Sequence, residues 1–294
     1  MEVKKKGAII FWGLTRGLKH SIENLRSHLF DVLKENNIDY DIFIHTWYFK
    51  GNYENKWHKI KSIKLDFEEY KLLNAKYVIV EDQDKVQENF NFKQYQSQGD
   101  YFKNNFQSFN YYILSLISQK KITEKFKEKK DEYDFVIFQR PDILYKKKFN
   151  INWLNLINDN NIIVPIFGSS PGNNCYEIND RWCLCNSDNA VKYGTILNHI
   201  LDYSKNNIVN AEIYLGWIMS NFYKIDIKKI NMIFYRITPH GKIVLDDIYL
   251  IPWQQEKQVN LDEPIQAKRN FDPVRRRVTQ RSLRLQKLGL YHYL

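Results

Sequence analysis

The stretch DFVIFQRPDILY, Asp134 to Tyr145, is an apolar strand that runs directly into a charged tip, Arg140-Pro141-Asp142. In an open α/β sheet, ligands sit just beyond the carboxyl ends of the strands. A buried strand that ends in a carboxylate is therefore placed to hold a metal or a substrate hydroxyl. Two other segments end the same way: GAIIFWGLTRG, Gly7 to Gly17, and DYDIFIHTW, Asp39 to Trp47. Three strands with polar tips predict one shared pocket.

Working outward, Gly7 to Trp12 reads as the first strand. Leu18, Ile22, Leu25, Leu29 and Leu33 then recur at spacings of three and four, an amphipathic helix ending near Asn36-Asn37. Strands are expected at Tyr40–His45 and Ala75–Asp82, separated by a polar and aromatic excursion over 48–74. A second helix is expected over Tyr101–Lys129, burying Phe106, Phe109, Ile113, Leu116 and Ile117. The order β-α-β-(excursion)-β-α-β is a Rossmann-like half with right-handed crossovers. The second half reads as strands at Asn161–Gly168 and Asn179–Asn186, helices near Asp188–Ser204 and Ala211–Phe222, and strands near Asp226–Ile230 and Met232–Arg236. The expected division is one domain, 1–267, in two halves, 1–148 and 149–267.

Composition sets bounds. The chain has 294 residues, and 44% of them are hydrophobic, enough for a sizeable core; its 20 Tyr and 18 Phe also suit stacking on rings. No run of 18 apolar residues is present, which argues against a membrane-spanning helix. The N-terminal apolar run is followed by TRGLKH without a small-residue cleavage site, so it reads as a core strand behind a basic leader. Cys175, Cys183 and Cys185 are too few for a disulfide framework, and buried thiols in a reduced compartment are expected. The location predicted is cytoplasmic, with room for peripheral membrane attachment. Of the net charge of +10, residues 268–294 contribute +7, from eight Lys/Arg against Asp272. This basic, helical tail can lie on an anionic membrane, dock on the catalytic domain or a partner, or contact nucleic acid, although no specific nucleic-acid module is legible.

Gly13-Leu14-Thr15-Arg16-Gly17 joins the first strand to the first helix, a setting where backbone N–H groups and an arginine can hold a diphosphate. It matches neither GxGxxG nor a P-loop, and Thr15 can equally be an ordinary helix cap. Asp142 can ligate Mg²⁺ or Mn²⁺, which need only one or two protein carboxylates when bridged to phosphates; it can also be a turn residue after Pro141. Arg140 can pair with Asp142 or clamp a phosphate. His45 can be a ligand or a hydrogen-bonded support. Asp180 suits a grip on sugar hydroxyls. Glu212, at a helix start, is the best general-base candidate of the second half. The late loop His240-Gly241-Lys242 can close over phosphates or be an ordinary surface loop.

Five segments together resemble a known group: FWGLTRGLKHSIENL, DYDIFIHTW, YDFVIFQRPDILY, NDRWCLCN and AEIYLGWIM. They are similar to glycosyltransferase-like proteins of large DNA viruses, algae and bacterial surface-polysaccharide loci. The resemblance implies a GT-A-type fold with a mixed central sheet and a nucleotide-diphospho-sugar donor, UDP- or GDP-linked. In GT-A enzymes an Asp-x-Asp at a central strand end binds the metal and the donor diphosphate. Here Asp142 matches the last Asp and Arg140 replaces the first, a degenerate form of the motif. The donor-side residues so implied are Phe11, Gly13, Thr15, Arg16, His45, Arg140 and Asp142, with Mn²⁺ or Mg²⁺ on Asp142. Asp180 and Glu212 fall on the catalytic acceptor side, facing a glycan or glycolipid.

Overall fold

A computed structural model describes residues 5–55, 60–167 and 177–244. The tail 268–294 and Cys175 lie outside the described residues. In chain order, strand β1 (Lys6–Trp12) leads to helix α1 (Leu18–Leu25), which continues through a π turn (Arg26–Phe30) into α2 (Asp31–Glu35). Strand β2 (Asp39–Tyr48) is followed by a small antiparallel pair, β3 (Tyr53–Asn55) and β4 (Ile60–Ile63), then by β5 (Tyr77–Asp82) and helices α3 (Gln83–Asn89) and α4 (Gln107–Lys127). Strands β6 (Phe135–Gln139), β7 (Ile143–Tyr145), β8 (Asn161–Pro165) and β9 (Trp182–Cys185) come next. Helices α5 (Ser187–Gly194), α6 (Leu197–Ser204) and α7 (Ala211–Trp217) precede β10 (Asp226–Ile230) and β11 (Phe234–Arg236).

Seven strands form one sheet in the order β10-β8-β9-β6-β1-β2-β5. Every neighbouring pair is parallel except those made by β9, which runs against both β6 and β8. The sheet is thus mixed and Rossmann-like, and it draws strands from both halves of the chain. Period-two alternation sorts its core. Ala8, Ile10 and Trp12 of β1 pack with α4–α7 on one face; Ile9 and Phe11 pack with Leu18, Ile22, Leu25 and Leu29 on the other. The helix residues expected to be buried at three-and-four spacing, Leu18 through Leu33, are buried.

Three expectations need correction. Helix α4 starts at Gln107, not near Tyr101, because the Asp100 carboxylate accepts the backbone N–H groups of Phe102, Asn104 and Phe106 and holds them in a loop. Lys103, Asn105 and Phe106 in that loop have positive φ, which no helix tolerates. The first long helix contains a π turn rather than a uniform α spiral. The segment after Pro141 leaves the main sheet as β7 and pairs antiparallel with β11.

The sheet order places a topological switch beside β1. From β1 the chain moves outward through β2 to β5, then returns to the other side of β1 as β6. Helix α1 covers one face and α4 the other, which puts the carboxyl ends of β1 and β6 at the switch point. That is where a ligand is expected in such a sheet.

Candidate functional site

The loop after β1 is fixed from below by α4. The Trp12 indole Nε1 donates to Ser115 Oγ (3.0 Å), and the Gly13 backbone N–H donates to Ser118 Oγ (2.8 Å). Gly13 and Gly17 both take positive φ, 86° and 84°. The cap of α1 is Gly17 rather than Thr15, and it carries no side-chain hydrogen bond. Thr15 is buried, and its carbonyl accepts the Leu18 N–H (3.0 Å). Between the glycines, Arg16 is turned toward the end of β6. Its Nη1 donates to the Tyr53 hydroxyl, its guanidinium carbon lies 5.0 Å from the centre of that ring, and its Nη2 is 3.7 Å from Asp142 Oδ2.

The β6 tip supplies the second arginine. Arg140 Nε and Nη2 donate to Asp142 Oδ1 and Oδ2 at 2.8 and 2.6 Å, a two-pronged pair. Backbone bonds hold both ends of the tip. The Arg140 N–H donates to the Arg181 carbonyl (3.1 Å), Ser21 Oγ to the Pro141 carbonyl (3.2 Å), and the Ile237 N–H to the Asp142 carbonyl (2.9 Å). Asp142 is only 2% exposed. Burial raises its carboxyl pKa, but the charges of Arg140, Arg16 and Arg236 outweigh that and hold it well below the usual carboxylate range. Burial also works against the charge on Arg140, and Asp142 overrides it.

These contacts bear on the expected metal. Both Asp142 oxygens already face guanidinium groups, so a cation at that carboxylate would have to displace them and sit among like charges. Among the described residues no cluster of three or more His, Cys, Asp or Glu is arranged around a metal position. The residues present do not fit a divalent ion bound on Asp142.

The reversed strand β9 brings its beginning, not its end, to the same edge of the sheet. The Asn179 side chain sets the turn there, with Nδ2 donating to the Phe167 carbonyl and Oδ1 accepting the Arg181 N–H, both at 2.9 Å. Arg181 then stands between the two expected acceptor-side carboxylates, Nε 3.8 Å from Asp180 Oδ1 and Nη2 3.6 Å from Glu212 Oε1. Glu212 lies in the first turn of α7, behind the Asn210 side chain that caps the helix at Ile213 N–H (3.0 Å), and its carbonyl accepts from Ile178 (3.2 Å). The charge of Asp180 reaches Arg140. Arg16, Arg140, Asp142, Asp180 and Glu212 therefore belong to one neighbourhood.

Two expected donor residues stand apart from it. Phe11 is fully buried under α1 and is a core residue. His45 is also fully buried; Glu81 Oε2 lies 3.2 Å from its Nε2, and Ser118 Oγ lies 2.7 Å from its Nδ1. Glu81 Oε2 also accepts from Lys121 Nζ, and a carboxylate facing Nε2 places the ring proton there; Nδ1 then accepts from the Ser118 hydroxyl, whose alternative acceptor is the His45 carbonyl at 3.2 Å. The resulting chain runs Glu81, His45, Ser118, Gly13. It has the residue types of a nucleophilic triad, yet Ser118 is fully buried and its oxygen takes the Gly13 N–H. His45 thus supports the β1 loop from behind. Burial, resisted by Glu81, lowers its pKa to about 4, so the ring is neutral near pH 7.

The late loop His240-Gly241-Lys242 packs on α1: His20 Nε2 lies 3.1 Å from the Pro239 carbonyl, and the Thr238 N–H donates to the Lys242 carbonyl (2.8 Å). Sequence reasoning passed over Arg181, Arg236 and Tyr53, all of which act on the cluster. Arg181 lay inside the quoted NDRWCLCN segment beside Asp180, the one signal that pointed to it. No protein-family model matches this chain, and no curated protein matches it either.

Proposed function

We propose that the protein transfers a sugar from a nucleoside-diphosphate sugar, UDP- or GDP-linked, to a hydroxyl of a glycan or glycolipid acceptor. The observation that carries this reading is the convergence of Arg16 and Arg140 on the crevice between β1 and β6, with Asp180 and Glu212 on the adjoining rim. A mixed sheet with its polar tips gathered at one edge agrees with the GT-A-type architecture. In the reaction the acceptor oxygen forms a bond to the anomeric carbon, and the bond from that carbon to the diphosphate oxygen breaks. The nucleoside diphosphate leaves with the electron pair, and the acceptor proton passes to Asp180 or Glu212. Cationic donors at the crevice stabilise the charge that grows on the leaving diphosphate.

A second feature supports a sugar acceptor. Near the N-terminus of α4 lies a shallow pocket of about 370 Å³, lined among others by Phe90, Phe92, Phe106, Asn91, Gln96 and Asn110. Aromatic faces and amides suit the C–H faces and hydroxyls of a sugar ring. Titration calorimetry against a panel of UDP- and GDP-sugars tests the proposal; micromolar binding of at least one member is expected, and silence across the panel with and without Mn²⁺ would end it.

A further inference from the structure

We propose that the donor diphosphate is neutralised by the Arg16 and Arg140 guanidinium groups without a divalent cation, and that Asp142 positions both arginines instead of ligating metal. The proposal rests on the nucleotide-sugar reading and deepens it. Its basis is the use already made of each group. Asp142 is buried, with one oxygen taken by Arg140 Nε at 2.8 Å and the other shared by Arg140 Nη2 at 2.6 Å and Arg16 Nη2 at 3.7 Å. A hard cation needs carboxylate oxygens at roughly 2.0–2.2 Å in a nearly regular shell, and here those positions are closed by N–H groups.

The arginines, in contrast, have capacity left. A guanidinium carries five N–H donors in a planar fork; Arg140 directs two of its side-chain donors to Asp142. The Arg140 and Arg16 side chains are 27% and 19% exposed, against 3% for Asp142, so the cations reach the crevice while the anion stays behind them. The three groups carry a formal +1 together, one surplus positive charge at the place where phosphate is expected. Forked donors match phosphate oxygens in a way that a point charge does not. Arg140 is held from both sides by backbone bonds at Arg140 and Asp142, and Arg16 by Tyr53, so neither must reorganise when phosphate arrives.

The test is calorimetric titration of UDP and of GDP into the full-length chain, once in EDTA and once in Mn²⁺. Expected is binding of at least one nucleotide in EDTA, with affinity within about threefold of that in Mn²⁺. Arg16→Gln, which leaves the Arg140–Asp142 pair intact, and Arg140→Lys, which keeps the charge but loses the fork, should each weaken binding in EDTA by about tenfold. Melting curves verify that both variants fold. Binding seen only with Mn²⁺ would overturn the metal-free assignment and leave the nucleotide-sugar reading standing. Wild-type affinity in both variants would overturn the arginine assignment. No binding in either buffer would remove the reading and the inference together.

Discussion

His45 shows how much one side chain can set. It sits at zero exposure between Glu81 and Ser118, with its ring 4.4 Å from that of Trp47. Its folded pKa, lowered by burial to about 4, lies below the unfolded value near 6.5. Between those values the unfolded chain binds a proton that the folded one refuses. Stability contributed by this site is therefore complete above pH 6.5 and is lost as the pH falls toward 4, a decline on the order of 3 kcal/mol. Glu81 and Asp41, whose pKa values burial raises but their hydrogen-bonded partners lower further, add their own losses as the pH falls through the carboxylate range and below it. Urea unfolding of wild type and His45→Gln from pH 7 to 4.5 isolates the imidazole. The variant should give a flatter profile across that window, and parallel curves would show that the ring does not govern it.

At the scale of elements, the turn from β1 into α1 depends on two glycines that differ in kind. Gly13 has positive φ with open space around its Cβ position, whereas a Cβ on Gly17 would lie 2.9 Å from the Thr238 carbonyl oxygen. Gly13→Ala should lower stability by about 1 kcal/mol through backbone strain alone. Gly17→Ala adds the clash and should lose about 2–3 kcal/mol. Equal shifts in the urea midpoint would refute the distinction. Much at this scale was legible in the sequence. Strands β1, β2, β5, β6 and β10 follow from short apolar or alternating runs, and α1 from three-and-four spacing. Direction was not legible, because a period-two pattern reads the same both ways and β9 takes its orientation from β6 and β8. Nor could the sequence separate β7 from β6, since the partner of Ile143–Tyr145 is Phe234–Arg236, some ninety residues downstream. The site was half legible. The residue types at the strand tips drew notice to Arg16, Arg140 and Asp142, but the Arg140–Asp142 fork is a matter of side-chain geometry, and the alternation within Gly7–Trp12 does not say which face of β1 Phe11 lines.

For the molecule as a whole, charge is distributed in a way that neither residue nor element reveals. The chain carries +10, and residues 268–294 hold +7 of it, leaving +3 for 1–267. Among the described residues no helix is long and apolar enough to cross a membrane. A chain with this asymmetry should sediment with vesicles containing phosphatidylserine at low salt, release as salt rises, and lose most of that binding when shortened to 1–267. Equal sedimentation of both forms would place the attraction elsewhere.

The ribbon of β7 and β11 couples its own strands to the arginine fork. Arg236 pairs with Ile143 in that ribbon, the next residue, Ile237, grips the Asp142 carbonyl, and Val244 returns to donate to the Arg236 carbonyl (2.8 Å). Val244 thus lies within two rungs of the arginine fork. Strain on that rung would reach the Asp142 carbonyl through a single backbone bond, the one donated by Ile237.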